Sequence, residues 1–357
     1  MAPVMQRLQA PGSFCRHILC VTGQHDQLLD QALETFAIKP QLNLRLMRAG
    51  QTLPELMARL LPAFERILKK YLPATVLVHG DTLSAFGCAW AAYQRRIPVA
   101  HVEAGLRTRD FYEPFPEESN RILIDRLSTW CFAPTALAAQ HLRQEAIARD
   151  RIHVTGNTVV DALNTLLAQR QGRKLFSWKQ AAGAGRIVLT LTMHRRENFD
   201  GGLNRVVQAV ATILARDPRR QLYFPRHPNP QVRSATRLLE AHPQVTLLPP
   251  LKYVEFISLL QSSALVLSDS GGVQEEAPSL GVPVVVLRRR TERPELLRTG
   301  WARLSGTDPK TIIRDAEFLL RPGRRSLTQG AGSRRRNPFG DGRASARIYR
   351  ILAHEFL

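Results

Sequence analysis

The sequence has 357 residues, with 50 Lys and Arg against 30 Asp and Glu, which gives a formal net charge of +20. This length predicts two domains of ordinary size, and a hydrophobic content of 44% excludes a chain that is disordered throughout. The sequence contains no apolar run long enough for a membrane span, and its first residues lack the basic and apolar segments of a secretory signal.

The positive charge suggests nucleic acid or a membrane surface as a partner, but the composition favours a simpler explanation. Arg greatly outnumbers Lys, as expected from an Arg-biased genome, and no basic stripe alternates with aromatic residues as single-strand binding requires. We therefore expect no nucleic-acid and no membrane partner. The cysteines are scattered without a C-x-x-C pair, which predicts a reduced, cytoplasmic compartment: Cys15, Cys20, Cys88 and Cys131.

The first half of the chain alternates strands and helices, the pattern of an α/β fold with a mostly parallel sheet. Short apolar or β-branched runs predict strands at 18–22, 75–79, 98–102, 128–132 and 153–155. Helical spacing of apolar residues predicts helices at 53–72 and 85–96. The polar, glycine-containing stretch from Leu166 to Gly185 predicts a linker between domains.

A second α/β series follows this stretch. It predicts strands at 187–192, 221–224, 245–248, 264–268 and 282–287, helices at 203–215, 253–262, 309–320 and 344–356, and a surface loop at 322–337. Two similar halves predict two Rossmann-like domains, in which ligands bind beyond the carboxyl ends of the strands.

A glycine pair follows the predicted strand at 264–268. Ser270, Gly271 and Gly272 would present a hydroxyl and backbone N–H groups at a helix N-terminus, a site suited to phosphate. Glu276 lies about one turn further along, where a carboxylate can accept two hydrogen bonds from a ribose diol. The alternative is a tight turn followed by acidic residues that complement the helix dipole.

Two further polar segments follow strands of the second half. Met193–Asn198 contains His194, which can contact a diphosphate or move a proton, and two arginines that can pair with phosphate. Leu287–Glu295 contains Arg293, which can reach a diphosphate or brace the site. The alternative for both segments is a solvated basic loop.

Carboxylates follow two predicted strands of the first half. Asp81 follows the strand at 75–79, Glu103 follows the strand at 98–102, and Glu117 and Glu118 precede a helix. Adjacent strand ends can bring Asp81 and Glu103 into one crevice, where clustered carboxylates raise some pKa values and provide both an acid and a base. Each one alone is also typical of a helix cap or a surface salt bridge. The sequence contains no Walker A loop, zinc motif or nucleophile elbow.

Together these motifs resemble the non-hydrolysing UDP-N-acetylglucosamine 2-epimerase family. The similarity extends from Met1 to about Ser345. It is specific because many motifs occur in order: 78–82, 101–108, 116–118, 155–161, 194–198, 269–281, 291–295 and 337–342.

The resemblance implies an α/β fold with two Rossmann-like domains of the GT-B type, the substrate in the cleft between them, and a C-terminal helix that crosses back to the first domain. We accordingly expect an N-terminal domain at 1–165, a UDP-binding domain at 166–343 and the last helix at 344–357. The resemblance also implies a homodimer that interconverts UDP-GlcNAc and UDP-ManNAc without a nicotinamide cofactor or a metal. The implied mechanism removes the C2 proton with anti elimination of UDP, and UDP re-adds to a 2-acetamidoglucal intermediate.

The resemblance also implies roles for single residues. Acid, base and intermediate-stabilising roles fall to Asp81, Glu103 and Glu117, and the base among them stays open. His194 would lie at the diphosphate. The other expected substrate contacts are Ser270, Gly271 and Gly272 at phosphate, Glu276 at the ribose, Arg293 on the diphosphate side and Phe256 at the uracil.

The chain departs from the family pattern in three places. Members begin with a strand, a Gly-Thr-Arg-Pro-Glu loop and a Lys before the residues that match Met1–Pro3. We expect this strand and loop to be missing from the first domain, through a misassigned start or in a defective product. Arg289 stands where Asp is usual, and Leu251 stands where Gln is usual, which removes a possible uracil hydrogen bond.

Four other functions stay open from the sequence. They are a 2-epimerase of a related UDP-2-acetamido sugar such as a diacetamido uronic acid, a truncated inactive member, a retaining GT-B glycosyltransferase and a basic nucleic-acid-binding module. The set of carboxylates argues against the glycosyltransferase. An epimerase of this family would serve polysaccharide biosynthesis.

Overall fold

The computed structural model describes residues 1–23, 26–48, 50–169, 177–195, 198–227, 229–321 and 337–357. The chain divides into two compact α/β units. The first contains Met1–Leu167 and Phe339–Leu357, and the second contains Ala168–Pro338, which differs by a few residues from the ranges expected above. Among the described helices, none is long and apolar enough to cross a membrane.

The first unit has a four-stranded parallel sheet in the order β3-β4-β5-β6 and a separate parallel pair, β1-β2. Its strands are β1 (Cys20–Val21), β2 (Leu42–Asn43), β3 (Val76–His79), β4 (Val99–Val102), β5 (Trp130–Ala133) and β6 (Ile152–Val154). Its helices are α1 (Ala2–Gln9), α2 (Asp26–Thr35), α3 (Leu53–Tyr71), α4 (Leu83–Gln94), α5 (Glu117–Leu127), α6 (Ala136–Gln144), α7 (Thr158–Gln169) and, at the end of the chain, α15 (Ala344–Phe356).

The second unit has a six-stranded parallel sheet in the order β12-β11-β10-β7-β8-β9. Its strands are β7 (Ile187–Thr192), β8 (Arg220–Pro225), β9 (Val245–Leu248), β10 (Leu265–Ser268), β11 (Val284–Val286) and β12 (Ala302–Leu304). Its helices are α8 (Trp178–Ala182), α9 (Gly202–Ala215), α10 (Pro230–Ala235), α11 (Tyr253–Ser262), α12 (Gly271–Leu280), α13 (Pro294–Arg298) and α14 (Pro309–Leu320). Side chains from one face of the sheet and from α9 and α14 form its main core, and a smaller cluster around Trp178 covers the other face.

Local capping sets where two helices of the first unit begin. Thr52 and Glu55 form a reciprocal capping box at the start of α3. The Thr82 side chain accepts from the Ala85 N–H, so α4 begins at Leu83, two residues before the start predicted from apolar spacing alone. The turn between β3 and α4 therefore consists of only a few residues, and it carries Asp81.

The last helix, α15, packs on the first unit, as the family resemblance implied. The carboxylate of Asp161 accepts hydrogen bonds from the backbone N–H groups of Ala344 and Ser345 and from the Ser345 hydroxyl. A carboxylate at a helix N-terminus satisfies otherwise unpaired N–H groups and favours the dipole. Asp161 and Arg7, which donates to the Ser345 hydroxyl at 3.0 Å, thus hold the start of α15.

The boundary between the two units falls within the predicted linker from Leu166 to Gly185, but most of the described residues of this stretch are helical. Helix α7 continues to Gln169 because Leu163 and Leu166, one turn apart, are both buried. Ser177 then caps α8, whose Trp178 packs edge-to-face on Tyr223 with ring centroids 5.1 Å apart. Residues 170–176, and residues 322–336 of the predicted surface loop, lie outside the described part of the chain.

Candidate active site

Asp81 lies at the carboxyl end of β3, in the turn before α4. Its Oδ2 accepts hydrogen bonds from Arg121 at 2.6 and 2.8 Å, and its backbone carbonyl accepts from the Asn120 side chain at 2.8 Å. Arg121 also binds Glu118 at 2.8 Å and is almost fully buried. Asp81 itself keeps 27% of its side chain exposed, so a fixed carboxylate faces solvent.

Glu103 follows β4, the strand next to β3, as the sequence predicted. Its φ of +74° lies in the left-handed region that a non-glycine residue seldom adopts. Its Oε2 lies 3.3 Å from Nε2 of His79, and 15% of the side chain is exposed. Burial lowers the pKa of His79 well below its ordinary value, so the neutral ring can donate to the carboxylate.

Glu117 is the first residue of α5, the helix that also carries Arg121. Its Oε2 is buried and accepts no hydrogen bond from the described residues. Buried polar atoms usually have a partner, and an unpartnered one is expected where a ligand or a proton is received. Arg121, which joins Asp81 to α5, was missed at the sequence level; its position one helical turn after Glu117 is the signal that could have revealed it.

The Ser-Gly-Gly run forms the start of α12 in the second unit, as predicted. Ser270 is the N-cap residue, but its hydroxyl does not cap the helix. A side chain added at Gly272 would meet only Ser270 Oγ, at 3.9 Å, so the helix N-terminus is open on that side. Free N–H groups at an open helix N-terminus favour an anion.

Asp269 fixes this turn to the segment after β7. Its buried carboxylate accepts hydrogen bonds from the backbone N–H groups of His194, at 3.1 and 3.2 Å, and of Arg195, at 2.9 Å. The Asn198 side chain donates to the same carboxylate at 3.1 Å. No role was assigned to Asp269 from the sequence. Its position directly before Ser270 was the only sequence signal that pointed to it.

His194 lies at the carboxyl end of β7 with 39% of its side chain exposed. Its Nδ1 is 3.3 Å from Asp269 Oδ1, and its ring stacks on His227 with centroids 6.0 Å apart. Loss of water around the ring lowers its pKa, which the Asp269 charge opposes. The ring is therefore mostly neutral near pH 7. The neighbouring Arg196 and Glu197 of this motif lie outside the described residues.

Arg293 is buried under the start of α12. It donates to Glu275 at 2.6 Å and also to Glu292. A Cβ added to Gly271 would lie 2.6 Å from Arg293 Nη1, so only glycine lets the guanidinium approach the helix. Because two carboxylates bind its guanidinium, Arg293 braces this turn. Bracing the site is the second of the two roles that the sequence allowed.

Glu276 lies one turn into α12 and is 6% exposed. Burial raises its pKa to about 7, although the Tyr253 hydroxyl, which donates to Oε1 at 2.8 Å, opposes the shift. Phe256 is half-buried on the same helix as Tyr253, α11. Two residues depart from the usual family pattern in this unit. Arg289 is exposed, whereas Leu251 packs against the cluster around Trp178.

Comparison with known proteins decides the family. A family model described as UDP-N-acetylglucosamine 2-epimerase matches residues 7–353. This chain belongs to that family. It is therefore an epimerase in class, with the two Rossmann-like, GT-B-type domains of its relatives.

Individual relatives match over nearly their full length. The UDP-N-acetylglucosamine 2-epimerase of Salmonella typhimurium is 42% identical over 99% of this chain and 94% of its own. A crystal structure of the UDP-GlcNAc 2-epimerase from Neisseria meningitidis, bound to UDP-GlcNAc, is 37% identical with a TM-score of 0.91, and the match covers 99% of this chain and 96% of that one. The Methanocaldococcus jannaschii enzyme, in complex with UDP-GlcNAc and UDP, is 32% identical with a TM-score of 0.84 and coverages of 99% and 95%.

Proposed function

We propose that this epimerase interconverts UDP-GlcNAc and UDP-ManNAc by inverting C2 of the sugar. The observation that carries the proposal is the match of 99% of the chain, at a TM-score of 0.91, to an epimerase bound to UDP-GlcNAc. The relatives named above share this sugar nucleotide, which favours it over the related UDP-sugars considered from the sequence.

The second unit binds the nucleotide. The start of α12 holds a phosphate through Ser270, Gly271 and Gly272. Glu276 accepts hydrogen bonds from the ribose hydroxyl groups. His194, neutral and tied to Asp269, donates to the diphosphate as the C1–O bond breaks and negative charge grows on UDP. Phe256 contacts the uracil.

The first unit moves the protons. Breaking C2–H requires a base, and return of a proton on the opposite face requires an acid, so two groups in different environments are needed. Asp81 is held by Arg121, and Glu103 is held by His79. Glu117 has a buried oxygen that finds no hydrogen-bond partner within the described part of the chain. Elimination and re-addition of UDP invert C2 without hydride transfer, so the cycle runs without a nicotinamide cofactor or a metal.

Three further features belong to this proposal. The enzyme is a homodimer, as the family resemblance implies. It works in the cytoplasm, where its four free cysteines stay reduced. Its product serves polysaccharide biosynthesis.

The test is a product assay run in both directions with purified protein. UDP-GlcNAc and UDP-ManNAc, supplied separately, should converge on the same mixture, with Asp81→Asn as the inactive control. Absence of UDP-ManNAc from the first reaction would refute the proposal. Conversion of a diacetamido uronic acid nucleotide instead would redirect it to that substrate.

A further inference from the structure

A buried charged network lies next to the turn that carries Asp81. His101 is on β4 and Asp125 is on α5, and neither side chain is exposed. His101 Nδ1 lies 2.6 Å from Asp125 Oδ1, and Nε2 lies 2.9 Å from the carbonyl oxygen of Gly80. The imidazole ring thus connects α5 to the residue immediately before Asp81.

Both partners of the ring accept hydrogen bonds. A carbonyl oxygen has no hydrogen to donate, so Nε2 of His101 must be protonated. The second Asp125 oxygen accepts from Arg107 at 2.7 Å and from the Gly105 N–H at 3.2 Å, and both donors stabilise a carboxylate.

The charges around Asp125 support the ionised form. Burial acts to raise the pKa of Asp125, but the charges and hydrogen bonds of His101 and Arg107 outweigh it, and the pKa is lowered. The 2.6 Å contact of this carboxylate with Nδ1 fixes the orientation of the His101 ring. Glu145 binds Arg107 through two hydrogen bonds of 2.7 Å and holds the guanidinium in place.

We propose that His101, held by Asp125, positions the Gly80–Asp81 turn through a hydrogen bond from Nε2 to the Gly80 carbonyl. It is a positioning residue because its partner is the Gly80 carbonyl, not the substrate. The groups that surround the ring are Asp125 on α5, Arg107 after β4, His79 on β3 and Cys131 on β5.

The turn is held at two consecutive carbonyls. Nε2 of His101 donates to the Gly80 carbonyl at 2.9 Å, and the Asn120 side chain donates to the Asp81 carbonyl at 2.8 Å. Both holds fix the backbone from which the Asp81 carboxylate projects. A displacement of about 1 Å in a catalytic group can cost about 100-fold in rate. The kinetic consequence rests on the function proposed above, whereas the hydrogen bond from His101 to the Gly80 carbonyl does not.

The direct test is ¹⁵N NMR of wild-type protein labelled at its ten histidines. Nε2 of His101 should carry a hydrogen, because the Gly80 carbonyl can only accept, and the signal is identified by its loss in His101→Gln or by sequential assignment. A pyridine-type Nε2 on His101 would overturn the proposal. The result holds whether or not the protein epimerises UDP-GlcNAc.

Steady-state kinetics test the positioning role. His101→Phe keeps a ring but removes both ring nitrogens, and it should lower kcat by about 10- to 100-fold while KM for UDP-GlcNAc changes by less than about 2-fold. His101→Gln keeps an amide donor and should recover part of this loss. The matched control is His141→Gln, since buried His141 contacts the Gly105 carbonyl at 3.0 Å and not this turn.

The kinetic outcomes separate the explanations. If folded His101→Phe keeps the wild-type kcat, or if only its KM changes, the positioning role is overturned. If His101→Phe does not fold, His101→Gln tests the positioning role. Its kcat should fall about 3- to 10-fold with KM unchanged. A wild-type kcat in His101→Gln would overturn the positioning role. Wild-type protein that is itself inactive would instead refute the proposed function.

Discussion

Replacing Glu276 with Gln should make the protein relatively more stable as pH rises. Burial raises the pKa of Glu276 from its ordinary 4.5 to about 7, so the folded chain keeps a proton that the unfolded chain has lost between these values. Stability contributed by this proton is fully present below pH 4.5 and is lost as pH rises through 7. The glutamine side chain of the variant has no proton to lose, and it retains an oxygen that can accept from Tyr253.

The magnitude follows from the pKa values. One pKa unit corresponds to about 1.4 kcal/mol, and linkage over pH 5 to 8 gives a change of about 2 to 3 kcal/mol for a pKa that rises from 4.5 to about 7. The free energy of unfolding of Glu276→Gln minus that of wild type should therefore increase by this amount between pH 5 and pH 8. Taking the difference removes every other titrating group from the comparison.

Urea unfolding at pH 5 and pH 8 measures this difference. Glu240→Gln is the matched control, because it makes the same change of chemical group at a carboxylate that is 49% exposed. If the difference in free energy of unfolding between Glu276→Gln and wild type does not change with pH, the claim that Glu276 is a buried carboxylate with a raised pKa is refuted. UDP titrations complete the test: if only ionised Glu276 binds the ribose, wild-type affinity should fall about 10-fold from pH 8 to pH 6 relative to the variant.

Three further substitutions test the two parts of the site. Gly271→Ala places a methyl group 2.6 Å from Arg293 Nη1, and calorimetric titration should show about 10-fold weaker UDP binding; unchanged affinity would contradict the packing argument. Asp81→Asn should lower kcat at least about 100-fold with UDP affinity retained, and an undiminished rate would remove Asp81 from proton transfer. His194→Ala should slow UDP elimination about 100-fold, as measured by single-turnover quench; equal rates would exclude a role at the diphosphate.

Short-range signals made much of the fold predictable from the sequence. Strand-like runs before Asp81, Glu103, His194 and Ser270 placed all four residues at carboxyl ends of parallel strands, and the structure confirms these placements. The glycine pair likewise gave the start of α12 correctly. These features depend on periodicity and turn chemistry, which neighbouring residues determine.

Pairings over long sequence distances were not predictable. Arg121 reaches Asp81 across 40 residues, and His101 meets Asp125 across 24, only after α5 packs on the sheet. Arg293 was expected mainly at the diphosphate, because its burial between carboxylates arises only when the segment before α13 packs under α12. The predicted linker contains the boundary between the units, but its helical start was missed for a related reason: the end of α7 is polar, and its stability comes from Leu166 and tertiary packing.

The central claim is that C2 of the sugar loses its proton and regains one from a protein group. Incubation of the protein with UDP-GlcNAc in deuterium oxide, followed by NMR of the recovered nucleotide sugars, tests it most directly. The mechanism predicts UDP-ManNAc that carries deuterium at C2. UDP-ManNAc with its original hydrogen at C2, or no conversion at all, would contradict it.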